Sequence, residues 1–264
     1  MRNEKIVSRR DVIYVLQSIT GCSHEEIIIR GDLPLCEKNF ADFEQKIKRL
    51  TEGEPLQYVL GKWDFCGIEF FVDKRALIPR PETELLVEAV LNSIKGKQQL
   101  DILDVCTGSG CIGLSIAKLT EFMHNVVLAD ISEQALSLAK ENCLKLGVNI
   151  KLIHSDLLGS VKGIFDIIVS NPPYITGCDM ESLPENIKNF EPPLALDGGA
   201  DGLDIYRRLI PQSFEKLRPK GMLFLEIGSV QAAEIMLASG FTDIKIHKDY
   251  AGIDRILQGV KNHV

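Results

Sequence analysis

The sequence has no long apolar run, no paired cysteines and no cluster of histidines. Nowhere do about eighteen apolar residues follow one another, so we expect no membrane-spanning helix and no membrane partner. The seven cysteines are odd in number and form no C-x-x-C pair, which is typical of reduced thiols rather than of a disulfide framework. The five histidines are isolated, so the sequence predicts no metal site.

The chain also lacks an excess of basic residues. Its 30 lysines and arginines are outnumbered by 37 aspartates and glutamates, which gives a formal net charge of -7. An acidic protein has little electrostatic attraction for a phosphate backbone, so we expect no stable binding to nucleic acid. Charged residues are frequent among positions 2–11, which leaves no room for the apolar core of a signal peptide. The sequence therefore predicts a soluble, cytoplasmic protein.

The N-terminal part of the chain favours helices. Ser8 is predicted to cap a first helix, because apolar residues follow it at helical spacing. Ser23 opens a second, short helix, and residues 40–50 carry the apolar side of a third, which ends at Gly53. We therefore predict a small helical domain over residues 1–60.

A change of composition marks the end of this region. Residues 63–72 are aromatic and β-branched around a central glycine, which predicts a hairpin. Residues 78–81 read Ile-Pro-Arg-Pro and are expected to be extended, since a residue before proline avoids the helical region. Pro81 suits the first position of a helix. We therefore predict a hairpin and extended linker at 61–80 and a second domain at 81–264.

From residue 100 onward, strand patterns alternate with helical patterns. Strands are predicted at 100–105, 126–129, 150–154, 165–170 and 222–227. Helices are predicted at 111–119, 133–146, 203–217 and 230–239. This alternation predicts an α/β fold with a parallel sheet. Two further strands at 241–247 and 253–259 are separated by a short turn, so we expect an antiparallel pair that completes a seven-stranded Rossmann-like sheet.

A glycine-rich loop follows the strand at 100–105. Gly108, Gly110 and Gly113 match the spacing of a dinucleotide-binding fingerprint. Asp130 lies 20 residues after the second of these glycines, at the end of the next strand, where a carboxylate can accept both ribose hydroxyls. These features occur in binders of nicotinamide dinucleotides and of S-adenosylmethionine. Taken alone, they favour a dehydrogenase.

Asp104 lies four residues before Gly108, where we expect the mouth of the site. A carboxylate there would repel a pyrophosphate by about a few kcal/mol, but it would attract the sulfonium and ammonium groups of S-adenosylmethionine. We therefore predict S-adenosylmethionine as the cofactor, with S-adenosylhomocysteine as the product. Asp104 could instead be only a loop-capping residue, and Asp130 only the acidic residue at the start of the next helix.

A third carboxylate, Asp156, follows the strand at 150–154. It can accept a hydrogen bond from the exocyclic amine of adenine, while Leu157 can flank the base. An aspartate that opens a loop is also an ordinary turn residue, so this interpretation has an alternative.

The strand at 165–170 leads into Asn171-Pro172-Pro173-Tyr174 at the sheet edge where open α/β folds bind ligands. A planar amide or aromatic-amine nitrogen attacks poorly, because its lone pair is delocalised. The Asn171 side-chain carbonyl and the Pro172 main-chain carbonyl can accept its two N–H bonds, and Tyr174 can stack on its plane. We predict Asn171, Pro172 and Tyr174 as catalytic residues, and all four residues as the substrate-binding motif.

Several readings of this motif stay open at this point. A dehydrogenase leaves the N-P-P-Y motif unexplained, and a plain turn or a non-catalytic binding module leaves the ordered motifs at three strand ends unexplained. A DNA adenine methyltransferase could use the same chemistry, but it would have to flip the base and would usually carry a basic DNA-reading region. A methyltransferase for a small molecule or for ribosomal RNA is also possible on chemistry alone. No general base is evident.

The chain resembles the PrmC/HemK release-factor glutamine methyltransferases. Six segments carry the resemblance, in order along nearly the whole chain: residues 54–58, 77–84, 104–110, 190–193, 195–199 and 201–203. The resemblance implies a class I methyltransferase fold and N5-methylation of the glutamine in the Gly-Gly-Gln loop of peptide chain release factors. It also implies a monomer whose N-terminal helical domain helps to recognise that partner.

The resemblance also implies contacts for particular residues. The implied cofactor contacts are Cys106, Thr107, Gly108, Ser109, Gly110, Asp130, Leu157 and Asn171. The implied substrate contacts run from Asn171 to Tyr174. The chain departs from the pattern at two positions, since many relatives have glycine in place of Cys106 and a bulkier or aromatic residue in place of Leu157. Contacts made by the main chain of Cys106 should survive this change.

Overall fold

The structure, a computed structural model, describes residues 7–29, 31–32 and 34–262. The remaining positions of the predicted N-terminal and C-terminal domains lie outside the described residues, as do residues 2–6 of the charged segment at 2–11 that argues against a signal peptide. No helix in the described part of the chain is long and apolar enough to cross a bilayer.

The described residues of the N-terminal region form four helices. They are α1 (Arg9–Thr20), α2 (His24–Ile29), α3 (Glu37–Thr51) and α4 (Leu56–Leu60). The predicted cap at Ser8 is confirmed, because its hydroxyl accepts a hydrogen bond from the main-chain N–H of Asp11 at 3.1 Å. Val15, Leu50 and Val59 form the buried centre of this small bundle. The fourth helix was not predicted, because five residues are too few to show a helical period.

The predicted hairpin is confirmed. It consists of β1 (Lys62–Phe65) and β2 (Ile68–Phe71), which pair antiparallel. Helix α5 (Pro81–Ile94) follows, with Pro81 in its first turn as expected. The extended segment before α5 thus delivers residues 75–80 to the edge of the main sheet.

The main sheet has seven strands, as predicted. They are β3 (Asp101–Val105), β4 (Asn125–Asp130), β5 (Lys151–His154), β6 (Phe165–Ser170), β7 (Leu217–Glu226), β8 (Phe241–Lys248) and β9 (Asp254–Lys261). Their spatial order is β5-β4-β3-β6-β7-β9-β8. Strands β3 to β7 are parallel, whereas β9 runs antiparallel to both β7 and β8. The sequence predicted the antiparallel pair but not that β9 inserts between β7 and β8.

Helices cover both faces of this sheet. They are α6 (Cys111–Leu119), α7 (Glu133–Lys145), α10 (Asp204–Lys216) and α11 (Ala232–Ala238). Ile102 of β3 faces one buried cluster, which contains residues of α5, α6 and α7, while the next residue, Leu103, faces a second cluster with residues of α10 and α11. Because successive side chains of a strand point to opposite faces of the sheet, the strand contributes to two buried cores, one on each face.

The segment between β6 and α10 contains two short helices that the sequence did not predict, α8 (Gly177–Ser182) and α9 (Glu185–Phe190). A single 3₁₀ turn, Pro193–Ala195, follows them. An isolated parallel bridge between Ile175 and Asp197 ties the two ends of this segment together. The segment therefore forms a wall beside the carboxyl end of β6.

Candidate active site

The order of the strands creates a crevice between β3 and β6. The chain leaves β3 toward β4 and β5 on one side and returns through β6 on the other side, so β3 is a switch point. Val105 and Ser170, the last residues of β3 and β6, are register partners. The loops that follow them therefore start side by side. This is the place where open α/β sheets bind ligands.

Two cavities open at this edge. The first cavity is lined by residues 75–80 of the linker, by 106–109 of the glycine loop and by 130–132 after β4. The second cavity is lined by residues of the N-P-P-Y motif and by two apolar side chains, Leu183 just after α8 and Ile187 of α9. Asn171 lines both cavities. The junction of the two cavities is therefore the point where a ligand in one can meet a ligand in the other.

The two prolines of the motif separate the cavities. Pro173 lines the first cavity, whereas Pro172 lines the second together with Tyr174. Proline has no N–H group, so neither residue presents a main-chain donor at the junction. Of the predicted motif, Asn171 and Pro173 line the same cavity as the glycine loop, whereas Pro172 and Tyr174 line the second cavity.

The glycine loop follows a left-handed path. Cys106 has φ 57°, Gly108 has φ 57° and Gly110 has φ 83°. Cys106 is strained there relative to glycine by roughly 1–2 kcal/mol, because a side chain disfavours this left-handed conformation. Burial raises the pKa of the Cys106 thiol, with the Asp130 carboxylate adding to the effect, so the thiol stays protonated. Cys106, Thr107, Gly108 and Ser109 line the first cavity, while Gly110 does not.

Asp130 lies at the end of β4 and lines the first cavity. Its Oδ2 accepts a hydrogen bond from the Gly108 N–H at 2.8 Å, and its Oδ1 accepts one from the Ser132 N–H at 2.8 Å. Burial raises the pKa of this carboxyl, although these main-chain donors oppose the shift. Asp130 can therefore both bind the cofactor ribose and accept main-chain N–H groups at the start of the next helix. Each of its oxygens keeps a second lone pair that can accept a ribose hydroxyl.

The expected position of Asp104 is wrong. Its side chain is fully buried and does not line the cavity. Its Oδ2 accepts hydrogen bonds from the Thr107 hydroxyl at 2.6 Å and from the Gly113 N–H at 2.9 Å. Asp104 thus ties the glycine loop to the start of α6, and burial raises its pKa to about 7. Repulsion of a pyrophosphate by an exposed carboxylate at the mouth is therefore not the feature that selects the cofactor.

Two further predicted residues also lie outside both cavities. Asp156 is exposed, and its Oδ2 lies 2.5 Å from Nη2 of Arg208 on α10. The Leu157 side chain is buried in the core cluster of the α10 face, with φ 50°. The nearby guanidinium attracts the carboxylate outward, and the apolar side chain turns into the core. The structure therefore does not bring this pair to the lining, in contrast to the sequence prediction.

A hydrogen-bond chain that was not predicted from the sequence links the N-P-P-Y motif to Thr83, which lines the first cavity, and to Glu226, which lines the second. The Asn171 amide, through Nδ2, donates to Oγ1 of Thr83 at 3.3 Å. The Thr83 hydroxyl donates to Oε2 of Glu226 at 2.6 Å. The Tyr174 hydroxyl donates to Oε1 of Glu226 at 3.1 Å. Burial raises the pKa of Glu226. The available signal was a glutamate at the end of the otherwise apolar strand 222–226.

Tyr174 is held by close packing. A Cβ on Gly228 would lie 2.5 Å from Cδ2 of its ring, and a Cβ on Gly198 would lie 2.6 Å from its Cα. Only glycine fits at these two positions, so the main chain at Gly198 and at Gly228 packs directly against Tyr174. Burial and the neighbouring Glu226 raise the pKa of the Tyr174 phenol, which keeps it a hydrogen-bond donor.

The first cavity fits S-adenosylmethionine. Asp130 provides a carboxylate for the ribose, and Ile78 and Ile131 provide apolar walls. At Gly108, a Cβ would meet only Ala76 at 3.7 Å, so the main chain of the loop is open to a ligand on its other sides. Among the described residues, no group of three or more His, Cys, Asp or Glu side chains could hold a metal ion.

A seven-stranded sheet that ends in an antiparallel pair, with a glycine loop after β3 and an acid after β4, defines an S-adenosylmethionine-dependent methyltransferase of class I. The family model Methyltransferase small domain matches residues 81–189, and the model PrmC N-terminal domain matches residues 6–61.

Curated relatives narrow this class. A release factor glutamine methyltransferase from Clostridium acetobutylicum is 40% identical over 243 residues, which cover 89% of this chain and 85% of the relative. A release factor glutamine methyltransferase from Koribacter versatilis is 41% identical over 245 residues, which cover 91% of this chain and 87% of the relative. The chain therefore belongs to the release factor glutamine methyltransferase family, which confirms the resemblance. Its cofactor is S-adenosylmethionine, as predicted.

Solved structures show the same fold. A methyltransferase from Pyrococcus furiosus has a TM-score of 0.57 at 20% identity and covers 75% of this chain and 90% of its own. The Thermus thermophilus 16S rRNA N2 G1207 methyltransferase, in complex with AdoMet and guanosine, has a TM-score of 0.58 at 19% identity. The match covers 76% of this chain and 50% of that methyltransferase. At these identities the likeness concerns the fold alone.

Proposed function

We propose that this protein transfers a methyl group from S-adenosylmethionine to the side-chain amide nitrogen of a glutamine, the glutamine of the Gly-Gly-Gln loop of a peptide chain release factor. One observation carries the proposal: Asn171 lines both cavities. With the cofactor in the first cavity and the acceptor in the second, the reacting atoms meet beside Asn171. The names of the curated relatives support the choice of acceptor.

The chain's own residues act by alignment. When bound, S-adenosylmethionine would supply an electrophilic methyl group on its sulfonium and would leave as S-adenosylhomocysteine, a neutral thioether. The Asn171 side-chain carbonyl and the Pro172 main-chain carbonyl accept the two N–H bonds of the acceptor amide and hold its plane still, so that lone-pair density builds up toward the methyl carbon. Such alignment can contribute several kcal/mol to catalysis.

No side chain is required to remove a proton before the transfer. The acceptor nitrogen becomes strongly acidic once it is methylated, and it loses its extra proton to water. The described neighbourhood agrees with this assignment, because the Tyr174 phenol is occupied as a donor to Glu226 and its pKa is raised by burial.

The second cavity suits the aliphatic part of a glutamine side chain. Leu183, Ile187 and Leu196 line it with apolar surface beside the motif. A glutamine that enters between them would bury its methylene groups there and bring its amide to Asn171. An adenine base could also present a planar amine, but a base would have to be flipped out of a duplex. The net charge of -7 disfavours that partner.

We also infer that the protein meets its partner as a monomer in the cytoplasm, without stable binding to nucleic acid. The helical bundle around Val15 and Leu50 is the inferred recognition domain, as the match to the PrmC N-terminal domain supports. The inferred domain limits remain 1–60, 61–80 and 81–264. Sedimentation of the protein alone and with a release factor tests this, because a self-associated species without the factor would contradict it.

Transfer of label from S-adenosylmethionine tests the proposed function. The reaction is run with a release factor, with the same factor carrying alanine in place of the glutamine of Gly-Gly-Gln, and with duplex DNA. We expect label in the first acceptor only. Label in DNA and in neither protein would overturn the proposal, and equal label in both forms of the factor would move the modified nitrogen elsewhere.

A further inference from the structure

We propose that Thr83 and Glu226 are positioning residues that fix the orientation of the Asn171 amide, so that its carbonyl oxygen rather than its NH₂ group faces the acceptor nitrogen. This inference rests on the proposed role of Asn171 in methyl transfer. It assigns a purpose to the Pro-Glu-Thr-Glu segment at 81–84 and to the acidic end of β7, neither of which the transfer chemistry itself uses.

Three separate elements meet in this arrangement. Thr83 lies in the first turn of α5, Asn171 follows β6, and Glu226 is the last residue of β7. The Thr83 and Glu226 side chains are buried, with residue exposures of 2% and 1%. Because 143 positions separate Thr83 from Glu226 and 88 separate Thr83 from Asn171, the contacts exist only in the folded chain.

The number of protons on each group fixes which group donates and which accepts in these hydrogen bonds. A threonine hydroxyl has one proton, and Thr83 donates it to Glu226 at 2.6 Å. The hydroxyl can then only accept from Asn171, so Asn171 must turn its NH₂ group toward Thr83. The carbonyl oxygen of the same amide is thereby left for the junction of the two cavities. If the Asn171 amide had the opposite orientation, its NH₂ group would face the N–H bonds of the acceptor. Both groups are hydrogen-bond donors, so no hydrogen bond could form between them.

Glu226 sets this direction because an ionised carboxylate only accepts. Its two oxygens accept from two different donors, Thr83 through Oε2 and Tyr174 through Oε1. A carboxamide or a protonated carboxyl in the same place has a donor of its own. It could donate to Oγ1 of Thr83, and the freed hydroxyl proton would then point at Asn171 and favour the flipped amide.

The charged and titratable groups around Glu226 make its protonation state responsive to pH. Burial raises the pKa of Glu226, and Glu82 of α5 adds to this effect. Hydrogen bonds from Thr83 and Tyr174 oppose the shift, as does the positive charge of Arg255 on β9. The ionised form is lost as pH falls through this raised pKa, so we expect turnover to fall on the acidic side with it.

Four variants test the proposal: T83V, T83S, E226Q and the matched control T120V. Valine has the shape of threonine without the hydroxyl, and serine keeps the hydroxyl. Thr120 is also buried, but its hydroxyl donates to the Ile116 carbonyl at the end of α6, away from the site. We expect T83V and E226Q to lower kcat by about tenfold to a hundredfold, because a misplaced group costs turnover rather than cofactor binding.

Several readouts separate positioning from a general structural role. The dissociation constant for S-adenosylmethionine in T83V and E226Q should stay within about threefold of wild type. T83S should recover most of the kcat that T83V loses. E226Q should lose the acidic limb of the kcat profile, because it has no carboxyl to protonate. T120V should lower the melting temperature and leave kcat unchanged.

The contrary results are equally definite. Wild-type kcat in T83V, or an unchanged acidic limb in E226Q, would overturn the proposal. So would a loss of kcat in T83V that T83S does not recover, or one that a matching loss of cofactor affinity accounts for. All ratios are taken with whichever acceptor the wild-type protein methylates. Transfer to DNA instead of to the release factor would therefore reject the proposed function. The kcat ratios of the variants, measured with DNA as the acceptor, would still test the positioning role.

Discussion

The guanidinium of Arg80 and the carboxylate of Glu191 form an ion pair at 2.6 Å across the rim of the two cavities. The two residues are 111 positions apart. The Glu191 side chain is 1% exposed and that of Arg80 is 31% exposed. The second oxygen of Glu191 accepts the Ile78 N–H at 3.2 Å. This pair therefore fastens the linker, which lines the first cavity, to the segment that walls the second.

Glu191→Ala should loosen this rim. The change removes the partner of Arg80 and leaves the Ile78 N–H without its acceptor. Since Arg80 is partly solvated, we expect a loss of about 1–2 kcal/mol of stability, less than for a fully buried pair. The KM values for the cofactor and for the release factor should both rise. Glu191→Gln keeps an acceptor for Ile78 and should lose less. Chemical denaturation and steady-state kinetics measure both effects, and equal losses in the two variants would contradict this account.

Asn171→Ala should abolish methyl transfer while cofactor affinity stays within about tenfold of wild type. The physical reason is that the lost carbonyl contacts the acceptor nitrogen, whereas the first cavity has many other lining groups. Isothermal titration with S-adenosylmethionine and a single-turnover transfer assay give the two quantities. Turnover at the wild-type rate would refute the role given to Asn171.

Asn142 offers a test of how the hairpin supports the glycine loop. Its side chain accepts from the Phe71 N–H at 2.7 Å and donates to the carbonyls of Phe71 and Ser109 at 3.1 and 2.9 Å. Asn142→Ala would leave the buried contact of the Ser109 carbonyl and the two part-buried contacts of the Phe71 main chain unmade, at a cost of about 2–4 kcal/mol. We expect a lower melting temperature and weaker binding of S-adenosylmethionine, because Ser109 belongs to the loop. Asn125→Ala, whose side chain makes an exposed contact with Asp101, is the control. Similar effects in both variants would argue against the link.

Asp104 should make stability depend on pH. Its pKa in the folded chain is raised to about 7 by burial. A carboxyl with a raised folded pKa binds more protons in the folded state than in the unfolded state. Its contribution to stability is therefore complete below the unfolded pKa of about 3.9 and is lost as pH rises through about 7. The size of this term is up to about 4 kcal/mol.

Asp104→Asn tests this linkage. Both hydrogen bonds to Asp104 reach the same oxygen, Oδ2, while Oδ1 has no hydrogen-bond partner among the described residues. A carboxamide oxygen can take the place of Oδ2, so the variant should fold at neutral pH. Its free energy of unfolding should vary less than that of wild type between about pH 4 and pH 7. Denaturation series at several pH values measure this difference, and parallel curves would exclude Asp104 as the source.

Much of the fold could be predicted because its strands and helices show recognisable residue patterns over short stretches of sequence. The buried strands and the helices after them show their periods within a few residues, and Ser8 and Pro81 mark helix starts by their own chemistry. The short elements between β6 and α10 could not be predicted in this way. Six residues hold less than two helical turns, and their position depends on packing against the motif rather than on a pattern of their own.

The sequence by itself determined the sheet, the glycine loop, the N-P-P-Y motif and the family. Only the tertiary structure decided which acids face the site. Asp104, Asp130 and Asp156 look equivalent in the sequence, since each lies at the end of a strand or just after one. In the fold, Asp104 is buried under the loop, Asp130 lines the first cavity and Asp156 pairs with Arg208 in solvent. A side chain's direction depends on the pleat of its strand and on neighbours far away in the chain. For the same reason Glu226, which local patterns do not single out, lines the second cavity in contact with Tyr174.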